Sequence, residues 1–210
     1  MDAITRCRIS NRLIIEMKRE GKILREIKGF FSGILELKTN KRGYKYAAYK
    51  RDWLDTIKLE PKSADEAKAA RTTKKLQELL KAKFGDRIKV EASVAEGMTL
   101  RFDAEGKNDE VKIDASKLQA FDIFDVETGT AFEISLSDAF AEFFKDVLKS
   151  LLDSRVKKLY ICMRNHDYKG SGKSGYVKVA SSAMVQQYIS LARLYKLEIA
   201  LVDLFPACNS

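Results

Sequence analysis

The 210-residue chain carries 39 Lys+Arg against 30 Asp+Glu, a formal charge of +9, and 45% of it is hydrophobic. Two prolines and eleven glycines argue against a fibrous or low-complexity chain, and the apolar runs fall far short of the roughly 20 residues of a membrane helix. Cys7, Cys162 and Cys208 show no CxxC spacing and accompany a single histidine, which argues against a zinc site or a disulfide framework. The N-terminus, MDAITRCRISNR, is charged where an export signal is apolar, so a cytoplasmic protein is expected. Residues 1–105 hold 25 Lys+Arg and 16 Asp+Glu, whereas residues 106–210 hold 14 of each. A surplus confined to one half suits a polyanionic partner bound through counterion release.

Residues 9–28 place Ile9, Leu13, Met17, Leu24 and Ile27 at helical intervals among arginines and lysines, predicting an amphipathic helix with a basic face. The next stretch predicts a hairpin around Asn40-Lys41-Arg42-Gly43, where Gly43 is free to take a positive φ. From Lys38 to Arg51 there are six basic residues and no acidic one, interleaved with tyrosines. Lys38, Lys41, Arg42, Tyr44, Lys45 and Tyr46 are therefore candidate nucleic-acid contacts, cations for phosphates and rings for sugars or bases. After Pro61, Ser63-Ala-Asp-Glu66 reads as a capping box opening a helix that Gly85 ends. RIKVEASV, MTLRFDA and EVKID then alternate with period two and predict an antiparallel meander.

Two further strands are expected within residues 121–137, meeting at Glu127-Thr128-Gly129-Thr130. Alternation places Glu133, Ser135 and Ser137 on one face of the second strand. Asp122 and Asp125 are out of phase, so only one turns toward Glu133; Asp122, where a strand bend can aim it, is the choice and Asp125 the fallback. Two carboxylates converging there suit a hard divalent cation able to polarise a phosphodiester and generate a hydroxide nucleophile. Ser137 and Asp138 are candidate caps for a helix with Phe140, Phe143, Phe144, Val147, Leu148 and Leu151 as its apolar stripe. A short buried strand (157–163), a glycine-rich loop, a helix ending near Lys196 and a last strand (197–204) complete a mixed α/β sheet covered on both faces. In the loop, Gly170-Ser-Gly-Lys-Ser174 lacks the first glycine of a nucleotide-binding loop, Asp167 standing there. Arg164, His166, Lys169 and Lys173 are instead candidate contacts to a nucleic-acid backbone.

This order of elements, with Asp122 opening one strand and Glu133 on the next, resembles the PD-(D/E)XK nucleases of restriction-endonuclease-like fold. The resemblance spans roughly residues 110–204. It implies a restriction-endonuclease-like mixed sheet flanked by helices, preceded by an N-terminal helical and hairpin basic region. It also implies a Mg2+-dependent endonuclease cleaving double-stranded DNA and acting as a homodimer, of which a sequence-specific type II restriction enzyme is one form. Asp122 and Glu133 would be the metal ligands. Ser135 stands where the family has lysine, and Glu142 or Lys145 from the following helix would supplement it. The division expected is a basic region, 1–84, and a catalytic core, 85–210, or one continuous domain. The alternative is a nucleic-acid-binding protein of the same fold that has lost catalysis, which Ser135 favours.

Overall fold

The structure is a computed structural model that describes residues 21–43, 45–94, 98–104, 107–113, 120–136, 140–164 and 175–204. Its centre is set by the strands that are apolar on both sides. β7, Thr130–Ser135, is buried at every position, and β8, Lys158–Met163, at four of six. Such strands need cover on both faces. They lie in a five-stranded sheet with β3 (Ile88–Ala92), β6 (Phe121–Asp125) and β9 (Glu198–Asp203), in the order β3-β6-β7-β8-β9. The first three run antiparallel, and β7, β8 and β9 run parallel. The protein is thus a mixed α/β fold with helices on the sheet.

One face is covered from the N-terminal side. Helix α1 (Lys22–Ile34) buries Ile23, Leu24, Ile27, Phe31 and Ile34, a helical stripe. It leads into hairpin β1 (Leu35–Thr39) and β2 (Lys45–Tyr49), then short α2 (Arg51–Thr56) and long α3 (Asp65–Phe84). Leu76 and Leu80 of α3 join the α1 side chains against Ile88, Ile123, Phe132, Ile134 and Cys162 of the sheet. The core therefore runs unbroken across residue 85. The other face carries α4 (Phe140–Leu151) and α6 (Ala183–Leu194), whose Phe143, Val147, Val185 and Ile189 pack on Phe124, Leu159 and Ile161. A one-and-a-half-turn helix, α5 (Gly175–Ala180), precedes α6 and was not anticipated.

Three expectations are corrected. The capping box does not form: the N-cap of α3 is Ala64, without a side-chain bond, while Ser63 N–H closes a turn on Glu60 O. The meander does not form either. β3 joins β6, and β4 (Met98–Ala104) with β5 (Lys107–Ile113) makes a separate hairpin. Ile88 and Ala92 of β3 gain an apolar partner strand, which short-range turn signals alone do not disclose. Finally, Leu148 is 56% exposed rather than part of the core stripe of α4. Residues 9–20 and the caps Ser137 and Asp138 lie outside the described residues.

The register that builds the site is fixed by one turn. Gly129 takes φ 65°, and a Cβ there would lie 2.5 Å from the Arg155 carbonyl. Only glycine fits this crossing. Its N–H bonds Asp125 O and its carbonyl accepts from Lys157, joining β6, β7 and the start of β8. The ladder pairs Ile123 with Phe132 and Asp125 with Thr130, so the next position along sets Asp122 beside Glu133.

Candidate active site

Asp122 stands where β6 is distorted. On its other side the β3 pairing runs from Val90–Ile123 to Ala92–Phe121, with Glu91 between them at φ 47°. A left-handed non-glycine residue in a strand re-aims the side chains around it. Ile123 packs with the α1–α3 core, whereas Phe121 and Phe124 both pack on the α4 side, so the alternation breaks at Asp122. The carboxylate uses the break: Oδ2 accepts the Ile134 N–H at 2.8 Å. Gln77 of α3 donates to Asp122 O at 2.9 Å, tying that strand end to the helix above it.

Asp122, Glu133, Ser135, Glu142 and Lys145 all line one cavity of about 500 Å³, walled by α3 and α4 at the ends of β6 and β7. Six carboxylates and three lysines line it, the others being Glu66, Glu91, Asp146, Lys74 and Lys149. A protein with nine surplus positive charges thus carries an acidic cavity in its centre, which is an electrostatic trap for cations.

Glu133 is not on a solvated hairpin face; it is 4% exposed, as are its neighbours Asp146 at 2% and Lys149 at 5%. Lys149 Nζ sits between the two carboxylates, 2.8 Å from Glu133 Oε1 and 3.1 Å from Asp146 Oδ1. It also donates to Ala120 O at 3.0 Å and lies over the Phe121 ring. Both carboxylate oxygens are buried against this one ammonium, which they share with Ala120 O. Their acceptor capacity is incompletely used, which is costly in a dry site.

The titration behaviour follows. Burial pushes Glu133 well above the ordinary carboxylate range, and the charges of Asp146 and Asp122 push it further against the pull of Lys149. Burial likewise raises Asp146, to about 6. Asp122 is raised by burial, which the Ile134 N–H and Lys149 only partly offset. Burial would lower Lys149, but Glu133 and Asp146 outweigh it and hold its proton more firmly. Two buried carboxylates around one ammonium cannot both ionise without an excess negative charge that solvent does not relieve, which is why Glu133 keeps its proton above the ordinary range.

That donor set fits Mg2+, which is typically held by one or two carboxylates together with substrate phosphates and retained waters. Asp122 and Glu133 supply two, with unused acceptor capacity on Glu133. As the side chains stand, no three acidic, imidazole or thiol groups among the described residues are gathered closely enough to ligate one ion. Lys149 occupies the space between two of them.

The remaining predicted residues distribute as follows. Glu142 and Lys145 form an ion pair at the cavity. Ser135 is buried, and its carbonyl accepts the Arg164 N–H at 3.4 Å. Lys41, Arg42 and Lys45 are exposed around the hairpin turn, Tyr46 is half-buried, and Lys38 pairs with Glu36 at 2.9 Å. Arg164 is 4% exposed, stacked over Tyr49 and 3.4 Å from Asp65, in the lining of a second cavity rather than on the open surface. Tyr44, His166, Lys169 and Lys173 lie outside the described residues.

Asp146 and Lys149 were missed because the polar side of an amphipathic helix is ordinarily assigned to water. A signal was there: Glu142, Asp146 and Lys149 follow i, i+4, i+7 and form one mixed-charge stripe facing the site. Comparison with known proteins finds no matching family model, no matching curated protein and no matching solved structure.

Proposed function

We propose that the protein is a Mg2+-dependent endonuclease of double-stranded DNA, on a restriction-endonuclease-like core and acting as a homodimer. The observation that carries this reading is the convergence of Asp122 and Glu133 on one acidic cavity with the Lys149 ammonium against Glu133. The connectivity supports it, since β3, β6 and β7 run antiparallel before α4 crosses to the parallel β8. Bound Mg2+ would neutralise a phosphoryl oxygen and acidify an attacking water.

The chain's own residues do the rest. Asp122 and Glu133 would hold the ion from adjacent strands, Asp122 aimed by the Ile134 N–H. Lys149 supplies from α4 the ammonium that Ser135 does not supply from β7, and would offset charge growing on the phosphoryl group. The Glu142–Lys145 pair places a second ammonium at the cavity. A two-fold dimer would present one such site to each strand.

Incubating supercoiled plasmid with Mg2+ tests this. Glu133→Ala and Lys149→Met are each expected to slow cleavage on the order of 10³-fold. Ser135 and the tight Glu133–Lys149 pair favour a second reading, a nucleic-acid-binding protein without catalysis. Tight DNA binding with no scission by the wild type would establish that reading and end the first.

A further inference from the structure

A second, smaller cavity of about 270 Å³ lies between the hairpin, the first turns of α3 and the end of β8. Its charged lining among the described residues is Lys38, Lys68, Arg164 and Asp65, beside Tyr46 and Tyr49. We infer that it is a phosphate-binding subsite, receiving a phosphate group near the one in the acidic cavity. Its placement on a nucleic acid rests on the nuclease reading above; its affinity for phosphate does not.

The first argument is charge. Three cations face one carboxylate, and Asp65 is shared at long range, 3.4 Å from Arg164 Nη2 and 3.5 Å from Lys68 Nζ. The side chain of Asp65 is 56% exposed, so water weakens both contacts further. Lys38 is held by Glu36, but that pair lies on the exposed flank of the hairpin, where an ion pair exchanges readily for a better anion.

The second argument is preorganisation. A guanidinium is a planar fork that matches phosphate oxygens. That of Arg164 is immobilised over the Tyr49 ring, 4.8 Å from its centroid, and its backbone N–H is fixed to Ser135 O. An anion arriving there meets a cation whose ordering entropy is already spent. A phosphate, with oxygens in three directions, can face Arg164, Lys68 and Lys38 together, whereas a planar carboxylate cannot.

The third argument is position. Asp65 and Lys68 line this cavity while Glu66 and Ala69 line the acidic one, so the two flank the first turns of α3. Ser135 of the acidic cavity is bonded to Arg164 of the basic one. The basic cavity accepts a phosphate directly, and the acidic one only together with a cation. Neighbouring cavities with those opposite requirements suit consecutive phosphates of one strand.

Inorganic phosphate titrated calorimetrically into the full chain without metal tests this. Saturable binding is expected, weakened roughly tenfold or more by Lys68→Glu and unchanged by Lys89→Glu on β3. Arg164→Gln should act likewise, but if it does not fold, the Lys68 variant decides. Duplexes bearing 5′-phosphate or 5′-hydroxyl ends then separate the sources. A 5′-phosphate preference lost in Lys68→Glu assigns the subsite to a strand end; equal affinities that both fall assign it to an internal phosphodiester. Absence of saturable phosphate binding, or an equal loss in Lys89→Glu on distant β3, would overturn the subsite. Failure of plasmid cleavage would leave it standing, because neither metal nor scission enters the measurement.

Discussion

Asp122 and Asp125 lie three residues apart on β6 and show two ways of burying a carboxylate. At the Asp125 end every demand is met. Arg87 grips it through Nε at 2.9 Å and Nη2 at 2.7 Å, the Thr128 hydroxyl donates at 2.8 Å and the Glu127 N–H at 3.1 Å. Burial would raise its pKa, but these donors more than offset that and hold it below the ordinary value. At the other end Asp122, Glu133 and Asp146 are all raised, and a single buried ammonium serves two of them. The first arrangement stabilises a turn. The second holds a charge imbalance that a bound cation would relieve, as expected where a site is kept for function rather than stability.

The sharpest way to break this contrast is to neutralise one carboxylate at each end. Asp125→Asn leaves Arg87 with Glu127 alone and loses a charge-assisted network, for an expected cost of about 2 kcal/mol, the partial exposure of Arg87 keeping it below a fully buried pair. Glu133→Gln should do the opposite without metal, raising stability at pH 8 by about 1 kcal/mol, since Lys149 then faces Asp146 one to one. Urea unfolding of both variants measures this. Destabilisation of similar size at the two ends would mean that the acidic cavity is only another structural network.

The pH dependence sharpens the same point more gently. Asp146 is raised from 3.8 to about 6, so between those values the folded protein keeps a proton that the unfolded chain releases. Its contribution to stability is therefore fully present below pH 4, falls by about 3 kcal/mol as pH rises through 6, and is flat above. Asp125 has the opposite sign: its contribution is present above 3.8 and is lost as pH falls through its depressed value. Asp146→Asn should remove its own share of the loss between pH 4 and 6, leaving that of Glu133 and Asp122, and leave the acid limb intact. A profile unchanged in that variant would show that Asp146 is ionised at no cost.

What could be read in advance divides along physical lines. Strands 121–125 and 130–135 follow from period-two apolarity and the Thr128-Gly129 turn, which sets the register that puts Asp122 across from Glu133, whereas the break that aims its carboxylate lies opposite Glu91 of β3. The pairing of β3 with β6 is nonlocal, and the capping residues of α3 depend on where Glu60–Ser63 turns, so neither is written in a short window. Lys149 escaped for a different reason. Periodicity tells an apolar face from a polar one, but not whether the polar face meets water or another polar surface, and here α3 and the ends of β6 and β7 supply that second surface.

The hairpin gives the smallest expected effect and the cleanest separation of binding from chemistry. Gly43, at φ 80°, and the Asn40 side chain, which accepts the Arg42 N–H at 2.9 Å, hold the turn so that Lys41 and Arg42 project into solvent. Cations so placed touch phosphates without reading bases, and each contact adds close to one unit to the salt slope of the binding constant. Replacing both by alanine should lower that slope by roughly 2 while leaving cleavage of bound DNA at the wild-type rate. Lys38→Ala should change it less, because its charge is already opposed by Glu36. Binding to one duplex from 50 to 200 mM salt, with Ca2+ in place of Mg2+, gives the slope directly. An unchanged slope in the double variant removes the hairpin from the interface, leaving the acidic cavity and the Arg164 pocket to account for any DNA binding.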